Sequence, residues 1–246
     1  MHRFFVAPDT IRETLVQLRG PIAHQIRDVL RLRPGDEIVL LDNSESAYRV
    51  GLVRVERDVV RGRVEEKWKL ETEPRARVTL YQAMLKGQKF DWVLQKGTEL
   101  GIGAFVPVLS ARCIVSRADN VSDSRLDRWQ RILVEAAEQS ARARLPNLSD
   151  VMMFKAAWEN ASRGGLSIIP WEEERSTGLR EALQEIPKSK EINVFIGPEG
   201  GFTEEEISIA KGFGINSISL GPRILRAETA GIVAAAAIFY ELGDLG

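Results

Sequence analysis

The residues best suited to chemistry fall in three short loops, each following an apolar run: Pro170-Trp171-Glu172, Gly197-Pro198-Glu199-Gly200-Gly201 and Gly221-Pro222-Arg223-Ile224-Leu225-Arg226-Ala227-Glu228-Thr229. The two Gly-Pro exits, at Gly197 and Gly221, lie 24 residues apart. A glycine-rich loop between a strand and a helix is first a candidate phosphate cradle, but GPEGGF fits neither GxxxxGKS/T nor GxGxxG, and no lysine follows it. Glu204, Glu205 and Glu206 come next, in the first turn of an expected helix with Thr203 as its N-cap. Acidic groups there suit the positive end of the helix and would repel a phosphate. The loop therefore fits a neutral ligand or one with a positive centre, the glycines allowing close backbone approach and the proline stiffening it. The third loop is opposite in character: Arg223 and Arg226 flank Ile224-Leu225, and Glu228 follows. A cationic fork, an apolar wall and a carboxylate in one turn could serve an adenosyl-type ligand or orient a polar substrate. For either loop taken alone, an ordinary strand-to-helix connection is the simpler alternative.

These loops need a scaffold that brings them to one place. From Arg77 onward, strand patterns alternate with helical ones: RVTLYQAML, AFVPVLS, GLSIIPW, INVFIG and SISLG read as strands. FDWVLQKGTELG, SRLDRWQRILVEAAEQSARAR, TGLREALQEI, TEEEISIAKGFG and the Ala-rich AGIVAAAAIFYELG read as helices. Such alternation implies an α/β domain on a mostly parallel sheet, whose ligands bind outside the carboxyl ends of the strands. Before it, RFFV, DEIVLLD, AYRVGLVRV and VVRGRVEE are short period-two runs around one expected helix, AHQIRDVLRL, and they suggest a small β-rich, barrel-like module. Pro34-Gly35-Asp36 marks a turn into the strand that follows. The charged segment Lys67 to Arg77, containing Pro74, reads as a linker, giving domains 1–72 and 73–246.

The chain of 246 residues is 44% hydrophobic, enough for real cores. No run approaches the roughly 18 apolar residues of a membrane span, and MHRFFVAPDTIRE carries charge where a signal peptide needs an apolar stretch, so a cytoplasmic protein is expected. One cysteine, Cys113, and two histidines, His2 and His24, exclude a disulfide framework and leave little for a metal site. Residues 1–73 carry 13 basic and 13 acidic side chains, residues 74–148 carry 12 and 7, and residues 149–246 carry 9 and 15. A polyanionic partner would prefer the middle third.

FIGPEGGFTEEEI at 195–207 with LGPRILRAETA at 220–230 resembles the paired signature of the RsmE family, the 16S rRNA uridine N3-methyltransferases of the SPOUT superfamily. HRFFV at 2–6, VLRLRPGDEIVLLD at 29–42, KFDWVLQKGTELGI at 89–102 and RWQRILVEAAEQSAR at 128–142 agree with it, in the family's order over nearly the whole chain. The resemblance implies a PUA-like β-barrel for RNA binding, then a SPOUT α/β domain whose last strands and loops form a trefoil knot, assembled as a homodimer. It implies S-adenosylmethionine bound in the knot against Ile169, Pro170, Ile196, Gly197, Glu199, Gly200, Gly201, Leu220, Gly221, Ile224, Leu225 and Arg226. The implied reaction is methylation of N3 of one uridine in the decoding region of 16S rRNA in the 30S subunit, without a metal. A related SPOUT enzyme acting on a ribose 2′-oxygen or another base is the alternative, and a non-catalytic RNA-binding protein a more distant one.

The candidates for chemistry are Glu228 as acceptor of the imide proton and Arg226 as stabiliser of the charge left on the uracil, with Glu199 behind them. Alternatively Glu228 and Arg226 pair with each other and brace the loop. RNA contacts are expected from Arg3, Phe4, Arg27 and Arg31, and from Lys86, Lys89, Lys96, Arg112 and Arg142 in the basic middle third. Phe4 competes for a place in the barrel core. Gly97, inside an expected helix where the family commonly has alanine, should cost up to about 1 kcal/mol relative to that alanine.

Overall fold

The period-two runs near the N-terminus pair into a six-stranded sheet ordered β1-β4-β5-β6-β3-β2. Its strands are β1 (His2–Phe5), β2 (Ile11–Arg12), β3 (Leu15–Arg19), β4 (Glu37–Leu41), β5 (Ser46–Val55) and β6 (Val59–Lys69). The structure, a computed structural model, describes residues 1–113, 122–186 and 190–246. Residues 1–73 with 137–145 form one unit, and 74–136 with 146–246 a second.

In the first unit all ladders are antiparallel except β1 with β4. Helix α1 (Gly20–His24) runs on as a wider π turn, Gln25–Val29. Phe4, Val16, Leu18, Ile26, Ile38, Leu40 and Val50 form its main core. Strand β6 outlasts its expected end at Glu66 because the alternation continues: Trp68 and Leu70 pack beside Val39, Leu41 and Ala47. The β2–β3 hairpin, drawn from a stretch with little alternation, was not expected.

The second unit contains β7 (Arg77–Ala83), α2 (Lys89–Leu100), β8 (Ala104–Leu109), α3 (Asp123–Gln139), β9 (Asn147–Leu148), β10 (Met152–Met153) and α4 (Phe154–Ala161). It continues with β11 (Leu166–Pro170), α5 (Leu179–Ala182), β12 (Glu191–Ile196), α6 (Glu204–Gly212), β13 (Asn216–Ile218) and α7 (Ala227–Glu241). The end of α3 groups with the first unit. The expected helix through Arg144 stops at Gln139, and Ala141 takes a left-handed φ of 61°. Arg142 meets Glu73 (Nη2 to Oε2, 2.6 Å), and Glu73 Oε1 also accepts the Ala143 and Arg144 N–H groups. Helix α4 and the short strands β9 and β10 were not anticipated.

The sheet order is β10-β8-β7-β12-β11-β13, with β9 also on β8, and every ladder is parallel. A parallel sheet must be covered on both faces. Alternation along β12 divides its side chains accordingly: Val194 and Ile196 join Phe90 of α2, Trp129 of α3 and Ala234 and Phe239 of α7. Phe195 between them joins Phe154 and Trp158 of α4 and Ile207 and Ala210 of α6. Each such fully buried large side chain contributes about 1.5–3 kcal/mol. Trp129 donates its indole N–H to Asp91 Oδ1 (2.9 Å) and packs 4.5 Å from the Phe90 ring, locking α3 onto α2. Among the described residues no helix is long and apolar enough to cross a membrane.

Gly97 reverses its expected cost. A Cβ there would sit 2.7 Å from Phe105 ring atoms and 2.9 Å from Ile102 Cδ1, so the bare backbone is what lets α2 close on β8. Gly97→Ala should therefore destabilise the protein, by about 1–3 kcal/mol from overpacking, where helix propensity alone would predict a gain. Equilibrium urea unfolding measures the sign.

Candidate active site

Because β12, β11 and β13 are parallel neighbours, their C-terminal loops emerge side by side. The three loops identified from sequence are these. A cavity of about 380 Å³ lies among them, lined by Pro170 and Glu172 from the first, Ile196 to Glu199, Gly201 and Phe202 from the second, and Ile224 to Glu228 from the third. Lys89, at the start of α2, also lines it. An adjoining pocket of about 100 Å³ adds Trp171, Arg175, Leu220, Gly221, Pro222 and Arg223. The volume is in the range of small-molecule sites.

The middle loop is fixed from several directions. Gly201 N donates to Pro198 O (3.0 Å), and Arg112 Nη1 donates to Gly200 O (2.7 Å) and Phe202 O (3.3 Å). Gly201 takes a left-handed φ of 68°, and a Cβ on it would lie 2.7 Å from Glu172 Oε1. Thr203 caps α6 in a capping box with Glu206, as its position before the glutamates predicts. Glu204 and Glu205 are exposed, as helix-start charges should be. Glu206 is not simply one of them: it is 9% exposed, and its Oε1 accepts the Ala111 N–H at 2.8 Å, tying α6 to the loop after β8.

The charges of the cavity are interlocked. Lys89 Nζ lies 3.2 Å from Glu199 Oε1 and 3.5 Å from Glu228 Oε2. Partial burial pushes the Glu199 carboxyl up, but N–H groups of its own backbone and of Lys86, with the Lys89 ammonium, outweigh it and hold the group below the usual carboxylate range. Glu199 is therefore ionised at neutral pH and engaged. Glu228 differs: its Oε2 is shielded from solvent and has no hydrogen-bond partner, leaving the Lys89 charge as its ion-pair contact. Arg226 is exposed, and among the described residues its side chain makes no hydrogen bond or ion pair, so the Glu228–Arg226 brace is not formed. Its backbone carbonyl accepts the Thr229 and Ala230 N–H groups to start α7.

A profile of the RNA methyltransferase domain matches residues 71–239. The chain belongs to this family. Ribosomal RNA small subunit methyltransferase E of Bacillus subtilis is 33% identical over 98% of this chain and 97% of its own. The Synechocystis protein of the same name is 37% identical over 96% of this chain and 77% of its own. The crystal structure of ribosomal RNA small subunit methyltransferase E from Neisseria gonorrhoeae bound to S-adenosyl methionine superposes with a TM-score of 0.85, at 33% identity, covering 98% of this chain and 97% of that one.

Within this family member, most residues expected at the cofactor line the two cavities. Two do not. Ile169 is 1% exposed and packs with Tyr81 and Phe195 beneath the loops, because strand alternation turns it away from Pro170. Gly200 faces the Arg112 side chain. The expected RNA contacts scatter. Phe4 is 1% exposed in the core of the first sheet and offers no stacking face. Arg142 is 4% exposed and bound to Glu73, so no phosphate reaches it. Arg27 is held by Asp28 and the Arg57 carbonyl, Lys96 by Glu99, and Arg112 by the Gly200 loop. Arg31 and Lys86 are exposed, Arg3 is half-buried, and Lys89 points into the cavity. Sequence reasoning missed the contribution of Glu172, although its loop was singled out, and the convergence of Lys89 on two carboxylates.

Two outcomes follow for the loops. Gly201→Ala, strained at its positive φ and crowding Glu172, should weaken cofactor binding about 5- to 30-fold, by roughly 1–2 kcal/mol, read by calorimetry. Glu174 accepts hydrogen bonds from the Ser176 and Ser217 hydroxyls, and these, with the Ser176 N–H, pull its carboxyl down from 4.5 to about 2. Its contribution to the loop before α5 is thus present above about 4.5 and lost as pH falls through about 2. Glu174→Ala should accelerate amide exchange at Ser176 several-fold at neutral pH, whereas the wild type should loosen there only in that acid window.

Proposed function

We propose that the protein transfers a methyl group from S-adenosylmethionine to N3 of one uridine in the decoding region of 16S rRNA, within the small ribosomal subunit. The observation that carries this reading is the cavity at the sheet edge, where a bare-backbone glycine loop, an apolar wall and the Arg226 and Glu228 side chains converge. The relatives' rRNA methyltransferase names, and the S-adenosyl methionine bound to the gonococcal protein, support the reaction class.

The residues present fit such a cofactor. Gly197 and Gly201 put bare backbone in the cavity wall, Ile196, Phe202, Ile224 and Leu225 offer apolar contact for an adenosyl group, and Glu199 and Glu228 favour a positive centre. When bound, the cofactor supplies an electrophilic methyl group on a sulfonium. The chain's own task is to place the uracil in line and remove a weakly acidic imide proton. N3 lies on the Watson–Crick edge, so the base enters unpaired or turned out of its helix. Glu228 accepts the N3 proton, directly or through a water, and the electron pair stays on the uracil. Arg226, without a hydrogen bond or ion pair among the described residues, stabilises the charge left on the uracil oxygens. Glu199 anchors Lys86 and Lys89 around the cavity.

On this reading residues 1–72 form a PUA-like barrel that binds RNA, and 73–246 a SPOUT domain with a trefoil knot, in a cytoplasmic enzyme. Arg3, Arg31 and Lys86 supply phosphate contacts, their side chains having no partner among the described residues. A homodimer is supported by the outer face of α7, where Val233 and Tyr240 are exposed beside half-buried Ile232, Ala236 and Ala237. The test is methyl transfer from labelled cofactor to small subunits lacking the modification. Glu228→Gln should bind the cofactor normally and lose about 100-fold or more in turnover; unchanged turnover would remove Glu228 as the base.

A further inference from the structure

Lys89 stands outside the loops that define the cavity, yet it is the residue that joins their charges. It is the first residue of α2, and its ammonium reaches Glu199 at 3.2 Å on the loop after β12 and Glu228 at 3.5 Å at the start of α7. The charged side chains lining the cavity around Glu228 are Lys89 from α2, Glu172 from the loop after β11, Glu199 from the loop after β12, and Arg226 beside it. Two of these are carboxylates, which oppose a second negative charge, and Arg226 is not paired with Glu228. Glu228 Oε2 is shielded from solvent without a hydrogen bond. Among the described residues, the one cation within ion-pair distance of it is Lys89.

We propose that Lys89 is a positioning residue for the proton transfer: bridged to Glu199, its ammonium offsets the Glu228 charge and holds Oε2, so that the other carboxylate oxygen is turned to take the uracil N3 proton. This rests on the reading of Glu228 as the base. Glu199 fixes one end of the bridge, since its carboxylate is also held by the Lys86 N–H at 3.1 Å. The longer contact, to Glu228, is then the one that can yield. A proton arriving on Glu228 removes its charge and frees the ammonium to serve Glu199 alone; the proton then passes to water and the pair re-forms. A lysine here acts on the base, and needs no contact with a phosphate.

The experiment compares Lys89→Met, Lys89→Arg and Glu228→Gln in the full-length protein, measuring kcat/KM against pH on small subunits, affinity for S-adenosylmethionine, and affinity for the rRNA. Lys89→Met should lose about tenfold in kcat/KM at mildly acidic pH and progressively less as pH rises, because the acid limb of the profile moves to higher pH. Lys89→Arg, which keeps the charge, should restore the limb, and neither should change rRNA affinity by more than about twofold. Glu228→Gln should abolish the limb. A Glu228→Gln profile with the limb intact would sink the base reading itself. With the limb abolished in that variant, an unmoved limb in Lys89→Met would overturn the role of Lys89 alone. Weakened rRNA affinity with an unmoved limb would instead make it a phosphate contact. Loss of cofactor affinity and of unfolding midpoint without a pH shift would make it structural.

Discussion

The parallel ladder that sets β12 beside β11, and β11 beside β13, is the constraint on which the site depends. Parallel pairing sends all three strands to the same edge, so loops distant in sequence meet without any contact of their own to draw them together. The pairing is supported by β11 and β12, which carry apolar side chains on both faces. Ile168 and Ile169, successive residues of β11, serve opposite cores, one beneath α2, α3 and α7, the other beneath α4 and α6. The chemistry of the loops is thus built on buried residues that never touch a ligand.

On that edge the loops are held by backbone hydrogen bonds and by charges that reach across elements. Arg112 grips the carbonyls of Gly200 and Phe202, Glu206 holds the Ala111 N–H, and Glu174 fixes the first loop through Ser176 and Ser217. Of the carboxylates that line the cavity, Glu199 and Glu228 are treated differently. Glu199 accepts N–H donors as well as the Lys89 ammonium, whereas Glu228 Oε2 has the Lys89 charge beside it and no hydrogen bond. Two acids of one type in one pocket take different roles because their partners differ.

What could be read in the sequence was whatever is local. The Gly-Pro exits, the Thr203 cap and the alternation of strand and helix patterns located the three loops and the parallel sheet that presents them. Arrangements fixed by distant partners were hidden. Arg112 and Arg142 read as surface cations, and only the fold shows one bracing a loop and the other bound to Glu73. Gly97 reads as a helix defect until the Phe105 ring stands against it. Phe4 sits in the core because β1 pairs with β4 some 35 residues later, where Phe4 lies opposite Leu40. Lys89 looked like one basic residue among many, since nothing local connects it to Glu199 or Glu228.

The central claim, that this edge of the sheet methylates the Watson–Crick face of one uridine, is tested most directly by locating the transferred methyl group. Small subunits lacking the modification would be treated with the protein and isotopically labelled S-adenosylmethionine, and the rRNA digested to nucleosides for mass analysis. The account predicts label in 3-methyluridine, from a single position of 16S rRNA. Label on a ribose 2′-oxygen or on another base, or no transfer to either assembled subunits or free rRNA, would contradict it.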